Sequence, residues 1–238
     1  MSRLSSILVQ TGVMVVVAAS SSLLTIAADR VVVIPLGNSD LRARVAALEA
    51  VLAGVSRDGN DITFSGVNVH IVDGSGDTSG PVNGLGNLIV GYNELRNIGG
   101  MINDRSGSHN LVVGSTHNFS SYGGLLAGHF NNSTAPFASV TGGYGNTASG
   151  SYASVSGGQS NEAKALYASV SGGANNDATG SSASICGGLW NTASGNYASV
   201  SGGEYNTASG LAASVSGGLD RTAGGTNDWR AGTLFQDQ

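Results

Sequence analysis

The chain has 238 residues, 38 of them glycine, with a single cysteine, three prolines and a formal net charge of −5. Glycine stands at about twice its usual share and charged residues, at 11%, at less than half of theirs. The acidic balance argues against binding held by nucleic-acid phosphates. The apolar content argues against disorder, the missing three-residue glycine period against collagen, and the lone Cys186 against a disulfide scaffold.

Taken in chain order, 1–28 reads as an export leader: Arg3 supplies the positive start, 7–24 is mostly apolar and uncharged, and Ala27 and Ala28 precede Asp29. An uncleaved membrane anchor is the other reading of the same run, and both place the rest of the chain outside the cytoplasm. A linker, 29–37, leads to Asn38, Ser39 and Asp40, which offer a helix N-cap, and a short helical segment is expected over 38–57. Its apolar residues Leu41, Val45, Leu48, Leu52 and Val55 alternate four and three apart, a heptad seam of the kind that joins helices as trimers or tetramers. An ordinary amphipathic helix would carry the same stripe. An N-terminal β segment is expected over 58–105, because Ile62, Phe64, Val67, Val69 and Ile71 alternate with polar residues before a glycine-rich turn region.

From 106 to 225 the sequence repeats, in looser copies fourteen residues apart at Val112 and Leu126 and every fifteen residues from Val140, as YASVSGGxxNTASGx. Val155, Val170, Ile185, Val200 and Val215 hold one register position; Ala148, Ala163, Ala178, Ala193 and Ala208 hold another; Asn146, Asn161, Asn176, Asn191 and Asn206 hold a third. Glycine pairs such as Gly157 and Gly158 keep the same step. Two short strand patterns per repeat make each unit one coil of a parallel β-solenoid. Val and Ala face inward, glycines make a tight turn, and one Asn per coil suggests a ladder of side-chain amides. Eight such coils give a rod roughly 38 Å long at the usual strand spacing. A core of one Val and two Ala per coil buries little apolar surface, so further burial against other copies is expected, and a homotrimer fits the heptad.

The units YASVSGG and NTASG resemble the β-roll repeats of YadA-like trimeric autotransporter adhesin heads. The order of a short coiled coil, a segment ITFSGVNVHIV, then NGLGNLIVGYNELR, GSHNLVVG and the repeats also resembles uncharacterised exported bacterial proteins. The resemblance covers 61–225 and implies an all-β head in which three rolls associate and bind a host or surface ligand. Three departures limit what it implies. The coils are a residue longer than is usual there, the helix precedes the roll, and the tail 226–238 has no membrane-barrel pattern. Self-translocation is therefore not part of the expectation.

No catalytic constellation and no cofactor is expected. His117 and His129 lie one coil apart without an acidic or thiol partner in register, and are expected in solvated turns. Cys186 replaces a repeat serine and reads as a passive small residue. The positions after each glycine pair vary, and Tyr144, Gln159, Trp190 and Tyr205 among them are the candidate ligand contacts. Expected partners are further copies of the chain and an extracellular matrix or glycan ligand, with no nucleic acid, and with a membrane only through an uncleaved leader. Two alternatives stay open: an ice-binding solenoid using the Thr and Ser rows of the NTASG units, and a fibre or spike protein.

Overall fold

The computed structural model describes residues 7–10, 13–18, 22–27, 30–34, 38–96 and 103–232, with side chains from Asp40 onward. Of the leader and linker, residues 1–6, 11–12, 19–21, 28–29 and 35–37 lie outside the described residues, as do 233–238 of the tail. The chain divides into two units, Met1–Val69 and His70–Gln238.

In the first unit, β1 (Ile7–Gln10), β2 (Val13–Ala18), β3 (Ser22–Ala27) and β4 (Arg30–Ile34) form an antiparallel sheet in sequence order. The helix α1 runs Asn38–Val51 with Asp40 in its first turn, where a negative charge meets the positive end of the helix dipole. Leu41, Val45, Leu48 and Leu52 are all exposed, between 46% and 62%. Val55, the last position of the heptad seam, is not helical. Its amide bonds the carbonyl of Leu52 at 2.8 Å in a turn, and the residue begins β5 (Val55–Asp58). Strand β5 pairs with β6 (Asp61–Phe64) as a hairpin whose turn needs Gly59 at φ 55°. The alternation predicted through Val67, Val69 and Ile71 makes no strand: Gly66, at φ 69°, turns the chain out of the extended region after Phe64.

The second unit is a parallel β-solenoid of about eight turns. It opens with β7 (Leu88–Val90), β8 (Leu111–Ser115), β9 (Asn118–Phe119), β10 (Leu125–His129) and β11 (Asn132–Ser133). Two-residue strands then alternate between two sheets, Ser154–Val155 in one and Glu162–Ala163 in the other being typical. Among the described residues one sheet has ten strands, from β7 to Trp229–Arg230, and the other eight, from β9 to Thr222–Ala223. Pairing is in register at the repeat period, as in Ser154↔Ser169 and Val155↔Val170. The roll thus begins at β7, inside the region assigned from sequence to the N-terminal β segment, because Leu88–Val90 already pairs in parallel with β8.

A third, narrow side runs between the sheets, where His129, Tyr144, Gln159, Ala174, Leu189, Glu204 and Leu219 bridge one residue per coil. The interior of a typical coil holds Ala153, Val155, Asn161 and Ala163, each at most 1% exposed. The first coils use larger residues, Val112 and Leu126 in the valine line and Phe119 in the alanine line. Only small side chains let two sheets of two-residue strands approach this closely, which is why alanine dominates the later coils.

Candidate ligand-binding notch and the ladder beneath it

Asparagine holds the inside of one corner. In each coil the amide nitrogen of Asn161 or its equivalent donates to the carbonyl four residues back, Gly157 at 2.9 Å, and to one in the next coil, Gly173 at 2.9 Å. Its Oδ1 accepts the backbone N–H of the next asparagine, Asn176, at 3.0 Å. The same pattern runs from Asn131 to Asn206, and the last acceptor takes the N–H of Arg221 at 3.0 Å. These asparagines are fully buried, and each bond satisfies a backbone group that would otherwise be buried without a partner.

His117 heads this ladder, and its place corrects the expectation of a solvated turn: it is 1% exposed. Its Nδ1 accepts the N–H of Asn131 at 3.2 Å and its Nε2 faces the carbonyl of Val113 at 3.2 Å. A backbone N–H only donates and a carbonyl only accepts, so the ring is held as the neutral tautomer protonated on Nε2. Burial, together with the nearby charge of Arg96, lowers its pKa below the ordinary histidine value. Arg96 closes the same end: its Nε donates to Thr116 O at 2.8 Å and one Nη to Phe130 O and Asn131 O at 2.9 Å, with the guanidinium 4.1 Å from the Phe130 ring centre. His129, in contrast, is exposed and stacks on Tyr144 at 5.5 Å.

The residue before each ladder position is left-handed. Thr116, Phe130, Gly145, Ser160, Asn175, Trp190, Tyr205 and Asp220 have φ between 53° and 69°. A residue in this conformation turns its side chain out while the next one turns in, at a cost of roughly 1–2 kcal/mol for a side chain with a Cβ. A second left-handed row at the opposite corner carries Phe137, Tyr152 and Tyr167, whose rings stack 5.2 Å apart, with Tyr122 edge-on to Phe137 at 5.3 Å. This aromatic row was not among the sequence candidates. Its signal was there, in tyrosines at the fifteen-residue step.

The four candidates from sequence do not form one edge. Tyr144 stacks on Phe130 at 5.9 Å, forming one aromatic patch with His129. Trp190 and Tyr205 stack at 6.5 Å and 7° as a second patch. Gln159 sits in the bridging row. Between the two patches the left-handed row shrinks to Gly145, Ser160 and Asn175, which leaves a notch. A groove of about 360 Å³ lies at its Trp190 end, lined by Ser160, Glu162, Asn175, Asp177, Trp190 and Thr192.

Glu162 and Asp177 are register partners on adjacent coils, so two like charges stand directly opposite each other. Lys164 bridges them, in contact with Glu162 and 2.9 Å from Asp177 Oδ2. Partial burial alone would lower the lysine pKa, but the bonds and charges of both carboxylates outweigh it and hold it above its ordinary value. Asp177 Oδ1 is buried and without a hydrogen-bond partner. Among the described residues no three His, Cys, Asp or Glu side chains gather in a metal-binding arrangement. No family model matches the chain, and a search of curated proteins finds no significant match.

Proposed function

We propose that this is an exported bacterial surface or extracellular protein that acts without catalysis, as a trimeric β-solenoid presenting aromatic side chains to a matrix or glycan ligand. The β-solenoid repeat fold itself is consistent with a structural protein. The observation that carries the reading is the pairing of a frame locked by buried asparagines with exposed aromatics held off it in left-handed turns, since strained residues on a rigid support are a mark of binding surfaces. The exposed heptad seam of Leu41, Val45, Leu48 and Leu52 supports self-association, because a stripe of this spacing is complementary to a copy of itself. The apolar, uncharged run 7–24 supports export.

Expression of the whole chain in a Gram-negative host, followed by fractionation, N-terminal mass spectrometry and light scattering, tests the reading. A secreted or surface species with three times the chain mass is expected; a cytoplasmic monomer would overturn it.

One observation favours ice binding as a second reading. Charges at Glu162, Lys164 and Asp177 interrupt the Thr and Ser rows of the eight-stranded sheet. The outer face of the ten-stranded sheet is unbroken from Ser139 to Ser214 in one hydroxyl row, and broken only by Cys186 in the next. Thermal hysteresis of the purified chain separates the two readings.

A further inference from the structure

We propose that the groove beside Trp190 binds a carbohydrate chain, with one sugar ring stacked on the indole and its hydroxyls bonded to the polar side chains that line the groove. The proposal rests on the adhesive reading for its biological purpose, and on the groove alone for its chemistry.

Trp190 is 49% exposed, and Tyr205 lies parallel to it on the next coil. One indole face is therefore backed by a second ring, and the other is turned toward Asn175 and the groove. A sugar ring offers such a face a sheet of C–H bonds, whose partial positive charge meets the negative face of the aromatic quadrupole. The groove floor supplies the other half of the recognition. Ser160, Asn175 and Thr192 line it beside Glu162 and Asp177, and their hydroxyl and amide groups both donate and accept hydrogen bonds, as sugar hydroxyls do. Asp177 Oδ2 and Glu162 are already held by Lys164. A neutral ligand leaves that arrangement intact, whereas a cationic one would have to displace the lysine first. From Ser160 to Trp190 the groove crosses two coil steps, about 10 Å along the rod, room for about two sugar rings in an open channel.

The chain has two tryptophans, Trp190 and Trp229. In the full chain carrying Trp229→Phe, the emission of Trp190 is followed during titration with cellotriose, chitotriose and maltotriose. Saturable quenching by at least one of them is expected. Calorimetry with that saccharide should show at least tenfold weaker binding for Asp177→Ala and for Trp190→Ala, at unchanged melting temperature. The absence of binding by all three up to about 10 mM, or binding that survives Trp190→Ala, would overturn the proposal. So would quenching by tetramethylammonium or oligolysine but by no saccharide, which would assign a cationic ligand instead. Adhesion of the full chain to immobilised glycans and matrix proteins is measured in parallel. Adhesion that ignores Trp190→Ala overturns the groove and leaves the adhesive reading standing. Saturable saccharide binding without any adhesion supports the groove and removes the adhesive reading.

Discussion

His117 occupies an asparagine position and reproduces an asparagine's bonds, one ring nitrogen accepting and the other donating. A proton added to Nδ1 would face the Asn131 N–H donor head-on inside the core, so the folded chain resists protonation. Its pKa lies below that of the unfolded chain. Above about pH 6.5 both states are neutral and the residue adds no pH dependence. As pH falls below that value the unfolded chain gains a proton that the folded chain refuses, and stability drops. Urea denaturation at pH 5 and pH 7.5 should show this loss, and His117→Asn should remove that share of it, because the amide continues the ladder with no titrating group. Glycines divide as sharply. A Cβ on Gly158 would fall on the Gly173 carbonyl, at φ 85°, whereas Gly157 has open space around it and an ordinary φ. Gly158→Ala should cost more than about 3 kcal/mol and Gly157→Ala less than about 0.5 kcal/mol by the same measurement.

At the level of the element, neither two-residue strand is stable by itself, and the asparagine ladder links them along the rod. Asn176 Oδ1 accepts the Asn191 N–H at 3.0 Å, and its amide donates to Gly172 O and Gly188 O at 3.1 and 3.0 Å. Asn176→Ala should lower stability by about 3 kcal/mol, since it strands a buried donor and two carbonyls together. Calorimetric melting would read this, and a loss below about 1 kcal/mol would mean that water fills the gap. Repeat spacing points to these asparagines directly. The left-handed turn before each of them is less legible, because Ser160, Asn175, Trp190 and Tyr205 share a backbone conformation and no side-chain chemistry. The helix shows the reverse limit: the heptad spacing runs on to Val55, and the turn at Leu52 ends the helix first.

The whole solenoid is close to one-dimensional, each coil touching only its neighbours, so its stability is a sum over coils and contacts between them. Removing one full repeat, 207–221, joins Asn206 to Thr222 and preserves every register. The product should fold with the same circular dichroism and a slightly lower melting temperature. Removing 207–220 instead puts Arg221 in a threonine position, turns inward side chains outward, and should give an aggregating chain. In the proposed trimer the exposed seam of α1 acts at this scale too. Leu48→Asp should reduce the mass measured by light scattering to that of one chain while the β signal of the solenoid stays unchanged.

Periodicity alone carried the repeat length, the inward Val and Ala, the asparagine ladder and the parallel β-solenoid, because from Val140 on each of these depends on residues a constant fifteen apart and recurs from coil to coil. The rest arises where the pattern changes. The burial of His117 depends on its taking an asparagine's place one coil early, fourteen residues before Asn131. The groove depends on small residues at Gly145, Ser160 and Asn175 meeting Trp190 in one left-handed row, and on Glu162 and Asp177 becoming neighbours across coils. Such sites are made by side chains fifteen residues apart that the sequence separates and the coil stacks about 4.8 Å from one another, so only the tertiary structure could assemble them.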